Sequence, residues 1–93
     1  MAIKVHAAHI LVKTEGEAKE LLFDLKRGKS FEDAAREKSV CPSGKKGGDL
    51  GWFGRGQMVR EFETAAFQMK ADELSAPLRT QFGWHIIKVI ETQ

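Results

Sequence analysis

Gly47-Gly48-Asp49-Leu50-Gly51-Trp52-Phe53-Gly54-Arg55-Gly56-Gln57-Met58 is the stretch on which the fold of this chain turns. Its glycines enclose a brief strand over residues 50–53 in turns and bulges, beside apolar side chains that look exposed. Toward the N-terminus, Pro42, Ser43 and Gly44 break regular structure and leave residues 41–46 as a loop or one short helical turn. Toward the C-terminus, residues 60–69 read as a long helix burying Phe62, Ala65, Ala66 and Met69, and the Lys70-Ala71-Asp72-Glu73 turn follows.

The flanks are strands and capped helices. In residues 3–13 Ile3, Val5, Ala7, His9 and Leu11 share one face, and Ala8, Ile10 and Val12 the other. Both faces are apolar enough for a central strand. Thr14 and Glu17 have the capping-box spacing ahead of Ala18, Leu21, Leu22 and Leu25, and Gly28 closes that helix. Ser30 caps a second helix, to about residue 38, with Phe31, Ala34 and Ala35 facing inward. Residues 77–80 form a short edge strand, since Pro77 cannot donate to a ladder. In a last strand over residues 83–91, His85, Ile87 and Val89 lie opposite Trp84, Ile86 and Ile90. Strands at both ends with helices between make an α+β chain.

Composition narrows the function classes. Ninety-three residues make one small domain, and 42% hydrophobic with 30% charged residues is a soluble, globular balance. A net charge of +2 gives no basis for nucleic-acid binding, and Lys45 and Lys46 read as a solvated loop. The single Cys41 excludes an internal disulfide and fits a reducing compartment. Met1-Ala2-Ile3-Lys4-Val5-His6 lacks a signal peptide's apolar core and no apolar run reaches membrane length, so a cytoplasmic location is expected.

Four stretches in order, Ala8-His9-Ile10-Leu11-Val12-Lys13, Gly48-Asp49-Leu50-Gly51-Trp52-Phe53, Arg55-Gly56-Gln57-Met58 leading to Phe62, and Phe82-Gly83-Trp84-His85-Ile86-Ile87, resemble the parvulin family of peptidyl-prolyl cis/trans isomerases. The resemblance spans nearly the whole chain. It implies one domain over residues 1–93, with a four-stranded antiparallel sheet, the terminal strands paired at its centre and about four surrounding helices, an FKBP-like arrangement. It also implies isomerisation of Xaa-Pro bonds in peptides and in unfolded or partly folded proteins, by a monomer that needs no cofactor or metal. A proline-peptide chaperone module that binds without accelerating rotation is the alternative.

With the terminal strands adjacent, His9 and His85 can meet across the ladder. The resemblance makes them a catalytic group with Thr80 and Cys41; a self-satisfied core pair and a support role that fixes tautomer and shape are the other readings. For Cys41, a nucleophile would need a bond to break, zinc ligation with His9 and His85 lacks paired ligand spacing, and an inert thiol or an electrostatic role remains. Composition alone puts Met58 and Phe62 in a core. The resemblance makes Leu50, Met58 and Phe62 the proline pocket, with Phe53 beneath, Gln57 and Val59 at the rim and Phe82 beside the preceding side chain. Glu61 departs from the proline many relatives carry there, which puts the helix start and the charge near the pocket in question.

Overall fold

The computed structural model describes residues 3–93. Strand β1 (Lys4–Val12) is followed by helices α1 (Glu15–Lys26) and α2 (Phe31–Lys38), then a 3-10 turn (Pro42–Lys46). Strand β2 (Asp49–Gly54), helix α3 (Arg60–Gln68) and strands β3 (Leu78–Thr80) and β4 (Gly83–Thr92) complete the chain. The sheet runs β2-β1-β4-β3 with every pairing antiparallel, so β1 and β4 are central and Pro77 precedes an edge strand as its missing donor requires. Among the described residues three α-helices and one 3-10 turn stand where about four helices were expected, because Pro42 and Gly44 allow residues 42–46 only a tight turn.

Strand parity sorts the core into two layers. Ala8, Ile10, Val12 and Ile86 bury against Ala18, Leu21, Leu25, Phe31, Ala34 and Ala35 of α1 and α2. Val5, Ala7, Ile87 and Val89 bury on the opposite face with Phe53 and with Phe62 and Ala66 of α3. Ala65 and Met69 are only half-buried. Thr14 Oγ1 accepts the Glu17 N–H at 3.2 Å and Ser30 Oγ the Asp33 N–H at 3.3 Å, caps that contribute about 1 kcal/mol each.

Beside the future site the sheet is irregular. Ala7 pairs with Gly51 but Ala8 with Asp49, so Leu50 is the extra residue of a β-bulge. Just before it, Gly48 adopts φ 84°, and a Cβ there would lie 2.3 Å from the His9 carbonyl oxygen. Glycine alone lets this loop press onto β1 at His9. The His9 N–H donates to Gly48 O at 3.0 Å and the Gly48 N–H to Ser43 O at 2.8 Å, which ties the 3-10 turn to the central strand.

Candidate active site

Register brings the two histidines together. His9 stands opposite Ile87 and His85 opposite Leu11, so they are diagonal neighbours on one face, with Nδ1 atoms 2.9 Å apart and rings stacked at 5.1 Å. His9, Thr80 and His85 are the buried polar residues among those described. Burial, and then the neighbouring His85, push the His9 pKa down to about 4, and burial lowers that of His85. Both rings are neutral at pH 7, each with one N–H and one lone pair.

That constraint orients the whole hydrogen-bonded chain. Ser43 Oγ donates to Cys41 Sγ at 3.3 Å and lies 3.2 Å from His9 Nε2, so His9 Nε2–H donates to Ser43. His9 Nδ1 must then accept from His85 Nδ1–H, and His85 Nε2 must accept from Thr80 Oγ1, 2.6 Å away. Thr80 Oγ1 itself accepts the Phe82 N–H at 3.2 Å. By elimination every hydroxyl and ring proton points one way, from the Phe82 amide to the Cys41 sulfur. No buried side-chain polar atom among the described residues lacks a partner. The nitrogens that a zinc ion would need are engaged with one another and with Ser43 and Thr80.

An apolar cavity of about 510 Å³ opens over one end of this chain. His9, Cys41, Leu50, Gln57, Met58, Phe62, Phe82 and His85 are among the residues that line it. Phe62 forms the floor, edge-on to both imidazoles with centroids 5.6 and 5.5 Å away. Exposed Phe82 and Val40 flank the mouth. The Leu50 bulge turns an apolar side chain into the wall. Glu63 accepts the Gly56 N–H and stands 3.7 Å from Arg55, whose guanidinium lies 4.5 Å over the Phe67 ring; these contacts hold the loop carrying Met58 against α3.

Other residues support the cavity from behind or lie at its edge. Phe53 lies beneath the pocket residues, 3% exposed and packed under Phe62 at 6.0 Å, because its strand parity turns it into the core, and so does not itself line the cavity. Thr80 is likewise enclosed, behind His85. Gln57 folds back on its own turn, its Oε1 accepting the Gly54 N–H at 2.8 Å. Glu61 is exposed and outside the lining, and α3 begins at Arg60 without a side-chain cap. His6 has its Nε2 2.8 Å from Asp49 Oδ1. Sequence reasoning missed Leu11, Val40 and Pro42 in the lining and Ser43 in the polar chain. Leu11 was findable, since it shares His9's parity; a serine two residues after a cysteine carries no pattern.

Comparison with known proteins agrees with this geometry. The family described as "Rotamase: PPIC-type PPIASE domain" matches residues 6–91. Foldase protein PrsA of Geobacillus kaustophilus is 50% identical over 91 residues, covering 97% of this chain and 32% of the relative. That of Bacillus subtilis is 51% identical over 89 residues, 95% of this chain and 30% of the relative. The chain thus spans about a third of the length of these curated relatives. The crystal structure of the peptidylprolyl isomerase PrsA from Bacillus anthracis superposes with a TM-score of 0.96 at 44% identity, over 99% of this chain and 43% of that one. The solution structure of NmPin, the parvulin of Nitrosopumilus maritimus, gives 0.87 at 42% identity over 97% of this chain and 98% of that one.

Proposed function

The chain belongs to the PPIC-type family of peptidyl-prolyl cis/trans isomerases, and from that premise we propose that its cavity seats the proline ring of an Xaa-Pro segment while the polar chain ending at Cys41 acts on the rotating amide. Uncatalysed rotation faces a barrier of about 18–20 kcal/mol because the planar amide loses resonance on twisting. The planar form carries charge separated between carbonyl oxygen and nitrogen; the twisted form carries less. A cavity walled by Leu50, Met58 and Phe62 solvates that separated charge poorly and so favours the twisted form. An electron-rich sulfur beside the carbonyl oxygen acts in the same direction, and the chain through Ser43, His9, His85 and Thr80 holds it in place. No covalent bond forms. The observation that carries the reading is this meeting of an apolar cavity with a fully satisfied, one-directional polar chain.

Exchange spectroscopy on short Xaa-Pro peptides tests it: catalysed rates at least about tenfold above buffer are expected, equivalent to about 1.4 kcal/mol off the barrier. Rates equal to buffer with peptide binding intact would assign the domain to the binding-module class. Cys41→Asp preserves an acceptor for the Ser43 hydroxyl and is expected to keep turnover within about tenfold of wild type, with Cys41→Ala falling further. Loss of activity in both variants, well folded, would reopen covalent chemistry.

The residue before proline is the next selectivity point. Phosphate recognition calls for clustered arginines, but only Lys13 and Thr14 connect β1 to α1, and Thr14 is engaged in capping. Phe82, 61% exposed at the cavity mouth, offers an apolar surface instead. Peptides with Leu, Phe or Ala before proline are therefore expected to turn over at least as fast as the phosphoserine peptide. A clear phosphoserine preference at that position, at moderate salt, would overturn this.

Several wider expectations belong to the same proposal. Clients are unfolded or partly folded proteins, in keeping with relatives named foldases. The domain acts as a monomer: exposed Phe23 and Trp52 stand singly, one under Arg27 and one beside His6. A cytoplasmic location rests on the lone thiol, and fractionation of the source cells tests it. No helix among the described residues is long and apolar enough to cross a membrane.

A further inference from the structure

The ridge Val40-Cys41-Pro42 walls the proline cavity on one side and a second cleft, of about 300 Å³, on the other. The ridge is fixed to the central strand, the Val40 N–H donating to Leu11 O at 2.8 Å. The charged residues lining the second cleft are Arg36 from the last turn of α2 and Lys45 from the 3-10 turn, and no carboxylate lines it. Arg36 gives one guanidinium nitrogen to Asp33 at 3.2 Å and has further N–H donors free. Lys45 forms no ion pair among the described residues. On the same wall Ser39 Oγ accepts N–H groups from Leu11 and Cys41 at 3.1 and 3.3 Å, so its own proton remains to be donated. Two cations and a hydroxyl thus surround a space that adjoins the apolar cavity.

We propose that this cleft is a subsite for an acidic side chain, carboxylate or phosphate, of the same peptide whose proline occupies the main cavity. The assignment rests on the isomerase reading and adds to it a class of preferred substrate. An extended peptide advances about 3.3 Å per residue with alternate side chains on opposite sides. A side chain that clears the ridge therefore belongs to a residue two or three positions from the proline, not to its immediate neighbour. This separates the subsite from the apolar surface of Phe82, and places selectivity for acid at one distant position only.

The test is a peptide series in which Glu, phosphoserine, Lys or Ala scans each position up to four residues on either side of proline, at low and high salt. At one position two or three residues away, Glu is expected to raise kcat/KM about three- to tenfold over Ala, with phosphoserine at least equal and Lys below Ala. The gain should largely vanish at about 0.5 M salt, since the pairs are exposed. In the Arg36→Glu, Lys45→Glu double variant the Glu-to-Ala ratio should invert, each protein's own Ala peptide serving as reference. Titration of the same peptides into ¹⁵N-labelled protein reads affinity without catalysis, with the largest acid-dependent shifts expected between residues 36 and 45. Failure of the isomerase reading would appear as no turnover of the Ala peptide, while the affinity series still decides the subsite. A Glu-to-Ala ratio of one at every position in both turnover and affinity, or a preference unaltered in the double variant, would overturn the proposal.

Discussion

Phe62→Ala is expected to remove about 3–5 kcal/mol of stability and to lower kcat/KM on Xaa-Pro peptides by at least about thirtyfold. The ring is 3% exposed and stands edge-on to both imidazoles while resting on Phe53, so truncation opens a void at the join of core and cavity. A small domain has about 5–15 kcal/mol in hand, and this single change takes a large share of it. Two companion variants separate folding from function. Phe62→Leu refills much of the void yet lacks an aromatic edge for the histidines, so it should recover most of the stability and only part of the turnover. Met58→Ala removes a half-buried wall residue and should cost about 1–3 kcal/mol in transition-state binding with little change in denaturation midpoint. Urea denaturation and exchange spectroscopy on the same samples measure both quantities. A folded Phe62→Ala protein within twofold of wild-type turnover would refute the pocket assignment.

Acidification should unfold this domain through its histidines before its carboxylates. Unfolded His9 takes up a proton near its ordinary value of 6.5, whereas the folded protein refuses it until about pH 4. Between those values the unfolded state binds more protons, so stability is complete above about pH 6.5 and declines as pH falls toward 4, by about 3 kcal/mol from His9 alone. Burial of His85 adds in the same direction. The carboxylates whose affinity for protons is lowered, Glu32, Glu37 and Asp49, act at more acidic pH. The decline from pH 6.5 to 5 therefore belongs to the histidines. Activity should fall with it, because a protonated His9 presents Nδ1–H to the Nδ1–H of His85 and the one-way chain cannot persist. Histidine ring titrations by NMR and denaturation midpoints across this range are the measurements. A flat stability profile between pH 7 and 4.5 would show that the pair is not held neutral by the fold.

Much of this architecture is written in local pattern. The odd-numbered face of β1 predicted that Val5, Ala7 and His9 look one way, and the two core layers divide on that parity. Thr14 and Ser30 cap where their spacing places them, because capping needs only a short stretch of chain. The departures all depend on distant partners. Ser43 reaches His9 because a Cβ-free Gly48 lets the loop close onto β1, a juxtaposition of residues 34 apart in sequence. Arg36 gains meaning only once a second cleft forms behind the ridge that Val40 begins. Periodicity reports which face a side chain takes; it is silent on what another segment lays over that face.

Ile3 and Gln93, the first and last described residues, meet at one place. The Ile3 N–H donates to Gln93 O at 2.7 Å and the Gln93 N–H to Lys4 O at 2.9 Å, where the central strands β1 and β4 run antiparallel. Traction applied at these ends meets the ladder in the manner of a zip, each rung carrying the whole load in turn, instead of a sheared lattice in which all rungs share it. The β1–β4 ladder, the longest among the described residues, is thus expected to part first under such a pull, and the histidine chain beneath the cavity with it. A pull on Ile3 and Gln93 is therefore expected to disrupt the site at lower force than one that shears β1 along β4, which single-molecule force spectroscopy with two pulling geometries measures.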